Sequence, residues 1–229
     1  MEAIILAGGL GTRLRAVVSN VPKPMAPIMG IPFLEYIFRY LKKNNINKVV
    51  LSVCYKRDTI IKYFSDTFFD ISIKYSVEEE PLGTGGAIKQ SLKFCNNENV
   101  LLLNGDTFFN VNLDALFKSH LNNLADLTLC LKPMCNFDRY GIVKLDSANR
   151  VIGFNEKKYC ENGLINGGLY IIRKNFLDNE DVQKFSFEDF MNKNYKEKKI
   201  YGVIDNGYFI DVGIPEDYYK AQKELKYVI

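Results

Sequence analysis

Between Ile4 and Leu14 the chain passes from a short apolar segment straight into glycines, and this junction limits what it can fold into. Glu2-Ala3-Ile4-Ile5-Leu6 has the length and composition of a fully buried strand. Ala7-Gly8-Gly9-Leu10-Gly11-Thr12-Arg13-Leu14 follows at once. Glycines let the backbone turn sharply and approach a ligand with no Cβ in the way. Such a turn exposes N–H groups on one concave side, which suits an anion such as a nucleotide phosphate. Arg13 closes the turn with a planar cation, and Arg15 offers another. In Val21-Pro22-Lys23-Pro24-Met25 two prolines stiffen the chain on either side of a lysine. Together these read as a nucleoside triphosphate site. A glycine turn after a strand is often only a turn. The dinucleotide fingerprint G-x-G-x-x-G is broken by Leu14, and the Gly-Lys-Ser/Thr of a Walker loop is absent.

The segments that follow alternate strand and helix. Leu34, Ile37, Phe38 and Leu41 recur at helical spacing, and Asn44-Asn45 ends the run. Lys48 to Val53 predicts a strand, 56–65 a helix, and 71–76 another strand. That rhythm belongs to a parallel sheet covered on both faces. The small-residue run 82–87 predicts a loop ahead of a helix over 88–94, giving close backbone approach and a helix N-terminus. Glu78 and Glu79 read as a solvated face. Val100-Leu101-Leu102-Leu103 predicts a buried strand ending in Asn104-Gly105-Asp106. Open α/β sheets bind ligands at the C-terminal ends of their strands, so Asp106 is placed to hold a hard cation through oxygen, or else only caps a turn. His120, the only histidine, is expected at the surface of the next helix.

Past Pro133 the strands become shorter and more mixed, over 141–145, 150–154 and 165–172. Ser186 and Asp189 have capping-box spacing at the start of a helix over 187–194. Tyr208-Phe209-Ile210-Asp211 then repeats the layout of a strand followed by an aspartate.

The run LAGGLGTRL followed by PKPM resembles the signature of the sugar-1-phosphate nucleotidyltransferase family, and the later motifs follow in that family's order to about Ala221. Ala16 and Val17 stand where the family often has a proline. The resemblance implies a Rossmann-like three-layer α/β sandwich with a mostly parallel mixed sheet. It implies one domain over 1–229, with a nucleotide-binding half over about 1–125 and a sugar-phosphate half over about 126–229. Leu6, Ala7, Gly8, Gly9, Gly11, Thr12 and Arg13 would bind the nucleotide, and Glu80, Leu82, Gly83 and Thr84 would lie beside the nucleoside. A carboxylate that accepts from N1–H and the exocyclic amine favours guanine, and Glu80 is the residue assigned to it. YG-V, F-EK and N-G-Y stretches would place Gly141, Glu156, Asn166 and Gly167 on the sugar and Lys157 on its phosphate, though Lys158 replaces the usual proline. Asp106 and Asp211 would share Mg²⁺, and Arg13, Lys23, Asp106, Lys157 and Asp211 would carry catalysis.

The implied reaction joins a sugar 1-phosphate to a nucleoside monophosphate from a triphosphate. Whole-chain similarity within the family favours GTP and a manno-configured heptose 1-phosphate, with mannose 1-phosphate or another sugar 1-phosphate as the alternative and a non-catalytic regulatory homologue as the remote one. The net charge of +3 is small and spread along the chain, giving no reason to invoke nucleic acid or a membrane surface. Five cysteines without a C-x-x-C pair, Cys54 and Cys130 among them in apolar runs, fit buried thiols in a reducing, cytoplasmic setting. The expected partners are GTP and the sugar 1-phosphate, with a possible homodimer.

Overall fold

The computed structural model describes residues 1–9, 11, 14, 17–18 and 20–227. In chain order the elements are β1 (Glu2–Leu6), a 3-10 turn (Lys23–Met25), β2 (Pro27–Ile28), β3 (Ile31–Pro32), α1 (Phe33–Lys43), β4 (Lys48–Val53), α2 (Arg57–Phe64), β5 (Thr67–Phe68) and β6 (Ile71–Val77). Then come α3 (Gly83–Leu92), β7 (Asn99–Asn104), β8 (Thr107–Phe109), α4 (Leu113–Asn122), β9 (Leu127–Phe137), β10 (Ile142–Leu145) and β11 (Val151–Asn155). The chain closes with β12 (Cys160–Arg173), α5 (Phe187–Asn194), β13 (Ile200–Ile204), β14 (Phe209–Asp211) and α6 (Pro215–Glu224).

One ten-stranded mixed sheet runs in the order β11-β10-β12-β7-β1-β4-β6-β5, with β9 on β12 and β13 on β9. β7, β1, β4 and β6 are mutually parallel, while β12 joins β7 antiparallel. A strand buried on both faces reads as a continuous apolar run, and β1 shows why. Ala3 and Ile5 pack into one core with α1, and Ile4 packs into the other with Ile88 of α3 and Phe187 of α5. Helices on both faces make three layers, as the resemblance implied. α1 forms because Phe33, Leu34, Ile37, Phe38 and Leu41 share its buried stripe, and Asn44 caps it.

His120 is not at the surface: it is 1% exposed. Its Nδ1 lies 2.9 Å from the Thr128 hydroxyl and its Nε2 3.0 Å from Asn99 Oδ1. The amide oxygen can only accept, so Nε2 carries the proton and Nδ1 accepts from the hydroxyl. Burial, reinforced by the nearby Arg173 cation, pushes the imidazole pKa down to about 4. The run expected as a loop ahead of α3 is the first turn of that helix. Phe185 and Gln183 press against it so closely that a Cβ on Gly85 or Gly86 would lie 2.1 Å from them. Among the described residues no helix is long and apolar enough to cross a membrane.

Candidate active site

The parallel strands end together, and their ends build the first part of the site. Ala7 N–H bonds the Ser52 carbonyl at the end of β4, and Gly105 N–H bonds the Leu6 carbonyl at 2.9 Å. This seats the Asn104-Gly105-Asp106 turn against the glycine turn after β1. Gly11 has φ +57°, and a Cβ there would stand 2.8 Å from Lys23 Cβ. The position therefore needs glycine twice, for its backbone angle and for the lysine beside it. Pro22 and Pro24 frame a 3-10 turn in which Met25 N–H bonds the Pro22 carbonyl, and this turn aims Lys23 inward.

Lys23 Nζ donates to Asp106 Oδ2 at 2.5 Å and to Asp211 Oδ1 at 3.3 Å, and the lysine side chain is 9% exposed. The two aspartates are 105 residues apart, and a short antiparallel pair brings them together: β14 runs beside β8 with Asp211 opposite Thr107. Burial works against the Lys23 ammonium, but the two carboxylates outweigh it and hold its pKa above the ordinary lysine value. Burial pushes Asp211 upward, with Lys23 pulling the other way. Leu6, Gly9, Gly11, Lys23, Pro24, Asp106 and Gly213 enclose a cavity of about 180 Å³ beside this cluster. Thr12 and Arg13, assigned to the nucleotide from sequence, lie outside the described residues.

Two carboxylates that converge on one ammonium have the donor chemistry for a hard divalent cation. Among the described residues no third acid, histidine or cysteine joins them. Further oxygen ligands would then come from substrate phosphate and water.

Of the three consecutive acids, Glu78 is the one turned in, contrary to the solvated face expected for it. It is 6% exposed; Oε1 accepts from the Ser52 hydroxyl at 2.9 Å and Oε2 from Leu82 N–H at 3.1 Å. A Cβ on Gly8 would lie 3.0 Å from Glu78 Oε1, so this carboxylate borders the glycine turn. Glu80, the sequence choice, is exposed, and Glu79 pairs with Arg57 at the surface. The signal was available: Glu78 directly follows β6, the same strand-end position that singled out Asp106. Thr84 Oγ1 accepts from Phe187 N–H at 2.9 Å, and Gly85 N–H bonds the Phe185 carbonyl, which ties the start of α3 to α5.

A second cavity, of about 430 Å³, collects four of the residues assigned to the sugar and its phosphate: Gly141, Glu156, Lys157 and Asn166. Lys157 is among the residues that line it and Lys158 is not. Gly167 does not line it; that glycine is buried against the Phe109 ring, 2.4 Å from where its Cβ would be. Asn166 is partly committed within the fold, donating to Tyr170 Oη at 2.8 Å and accepting from Gly168 N–H. Another wall is α5, with Asp189 of the capping box and with Glu188, Met191 and Asn192, which no motif singled out.

The nucleotidyl transferase family pattern matches residues 2–227. The chain is similar to the D-glycero-α-D-manno-heptose 1-phosphate guanylyltransferase of Aneurinibacillus thermoaerophilus, at 55% identity over all of both chains. It is 54% identical to that of Campylobacter jejuni, over 96% of this chain and 97% of the relative. Among solved structures it superposes on HddC from Yersinia pseudotuberculosis complexed with GMP-PN, with TM-score 0.88 and 37% identity, over 97% and 98% of the two chains.

Proposed function

The chain belongs to the nucleotidyl transferase family, and on that premise we propose that it transfers GMP from GTP to D-glycero-α-D-manno-heptose 1-phosphate. A phosphate oxygen of the sugar attacks the α-phosphorus of GTP; the bond to the β-phosphate breaks, and GDP-heptose and pyrophosphate leave. The reaction class is carried by one observation: Lys23, Asp106 and Asp211 converge beside a glycine turn at the ends of parallel strands. The choice of GTP and heptose rests on full-length similarity to enzymes of that name.

Both reactants are anions, so the barrier is mainly charge repulsion and alignment, and catalysis comes from cations and positioning. The glycine turn presents backbone N–H groups to the triphosphate, with Arg13 at its end. Lys23 meets the negative charge that builds at the α-phosphate. Lys157 holds the sugar phosphate at the neighbouring cavity, and Gly141 and Glu156 meet ring hydroxyls. Asp106 and Asp211 would hold Mg²⁺, which supplies charge neutralisation when bound. Glu78 takes the base-reading role assigned from sequence to Glu80. A carboxylate has room for about four hydrogen bonds, two are used within the fold, and the rest match guanine's N1–H and 2-amino group. The product is a precursor for surface polysaccharide made in the cytoplasm.

The test is pyrophosphate release by the purified protein from each nucleoside triphosphate against the heptose and mannose 1-phosphates. GTP with the heptose should give the highest kcat/KM. Tenfold preference for mannose would replace the acceptor, and equal use of ATP would remove the base assignment.

A further inference from the structure

We infer that α5 reads the exocyclic glycol of the heptose, through Glu188 and Asn192. The inference deepens the substrate reading above and rests on it. In a heptose 1-phosphate C6 bears a hydroxyl and a further CH₂OH, whereas in mannose C6 is itself the terminal CH₂OH, so an enzyme selective for the heptose must meet a polar group beyond C6. Gly141, Glu156 and Lys157 come from the ends of β10 and β11, and they account for the phosphate and the ring. The same cavity is lined by α5.

The helix is held as a rigid wall. Phe187, Phe190 and Met191 are buried beneath it, and Ser186 caps its start by accepting from Asp189 N–H. Phe187 N–H is fixed by Thr84 at the start of α3. Glu188 and Asn192 stand one turn apart, so both project on the same side of the helix. Both line the cavity and are exposed, and neither side chain makes a hydrogen bond or ion pair with any described residue. That contrasts with Asn166 in the same cavity, whose amide is already engaged.

Charge fixes which end of the substrate faces this wall. Two of the cavity's three carboxylates, Glu188 and Asp189, belong to α5, while its one lysine among the described residues, Lys157, follows Glu156 just past the end of β11. A phosphate would be repelled from α5 and drawn to Lys157, which leaves the uncharged, hydroxyl-bearing end toward the helix. Adjacent hydroxyls donate well to the two oxygens of a carboxylate, and an amide can both donate and accept. A site built to bond a hydroxyl loses more with an analogue lacking it than an apolar pocket loses for a missing methylene.

The test compares kcat/KM for heptose 1-phosphate and mannose 1-phosphate, with GTP, in the wild type and in Glu188→Ala, Glu188→Gln and Asn192→Ala. These positions are exposed, and circular dichroism verifies the fold of each variant. The two alanine variants should each lose about tenfold or more on the heptose and less than about threefold on mannose, narrowing the ratio. Glu188→Gln, which keeps the shape and an acceptor, should fall between wild type and alanine. A wild type that prefers the heptose, with the ratio unmoved in the alanine variants, overturns the role of α5 and leaves the substrate reading intact. Equal losses on both sugars do the same. A wild type with no preference for the heptose overturns the substrate reading and this inference with it.

Discussion

In the parallel half of the sheet the charged side chains of the site are partnered within the protein; in the antiparallel half they are not. Lys23 is buried between Asp106 and Asp211, and Glu78 is buried with both oxygens bonded. Glu156, Lys157, Glu188 and Asn192 stand exposed around a larger cavity with no partner among the described residues. The first arrangement suits a reaction common to the family, in which charges must be aligned before substrate arrives and reorganise little as it reacts. The second suits recognition, where hydrogen-bonding groups should stay open until the right acceptor enters. Substitutions should therefore act differently in the two regions: on turnover in the first, on substrate choice in the second.

The largest effect is expected at the two aspartates. Asp106→Asn and Asp211→Asn should each lower kcat on the order of 10³-fold while the folded secondary structure persists, and excess chelator should abolish turnover of the wild type. Full activity in chelator would break the two-carboxylate assignment. Next comes Lys23→Ala, which removes the cation they share. Its kcat should fall by roughly 10²- to 10³-fold with KM changed far less, since the ammonium acts mainly as charge develops. Steady-state kinetics on both substrates separates the two parameters, and an unchanged kcat would contradict the role.

Glu78→Gln tests the region where the two behaviours meet, because the residue is buried yet assigned to selectivity. The GTP-to-ATP ratio of kcat/KM should narrow by roughly 5- to 150-fold, equivalent to ~1–3 kcal/mol for a mispaired buried acceptor. Glu80→Gln should leave that ratio where it is, and the reverse result would restore the exposed acid to the base site. The smallest effect concerns His120, which lines neither cavity. Its folded pKa, about 4, lies below the unfolded value of 6.5, so the fold favours the neutral ring. Its contribution is complete above pH 6.5 and is lost as pH falls toward 4, because the unfolded chain takes up the proton first. Between these limits, urea titrations should show the wild type losing ~1–2 kcal/mol more by pH 5 than His120→Asn.

Much of this architecture can be read from the chain. β1, β4 and β7 are apolar or β-branched runs, β6 alternates apolar and polar residues, α1 follows the spacing of Leu34, Ile37, Phe38 and Leu41, and Ser186 caps α5 as its spacing with Asp189 implies. Each member of the Lys23 cluster stands out in the sequence, although only the pairing of β8 with β14 brings Asp211 to Asp106. Misreadings arose where a distant partner decides. Gly83 to Gly86 look like a loop because glycine is a poor helix former, yet the pressure of Phe185 and Gln183 leaves no space for larger residues there. His120 is polar on a helix, and its burial depends on Thr128 and Asn99 from two strands. In Glu78-Glu79-Glu80, local pattern does not reveal which acid the strand end turns inward. Apart from its cap, the α5 wall carries no sequence signal for a ligand, since its polar face is an ordinary helix surface until β10 and β11 share a cavity with it.

β12 binds these two regions into one mechanical unit. Leu169 to Arg173 are laddered to β7 in the parallel core, and Cys160 to Asn166 are laddered to β9 beside the sugar cavity, on one strand whose register shifts between Asn166 and Tyr170. Neither end can leave its neighbours without pulling on the other. The protein should therefore melt in a single cooperative transition, and the β12 amides should exchange with solvent only as fast as the whole molecule opens. A protease that cuts the surface between the halves would then yield fragments that stay associated until the entire sheet is lost.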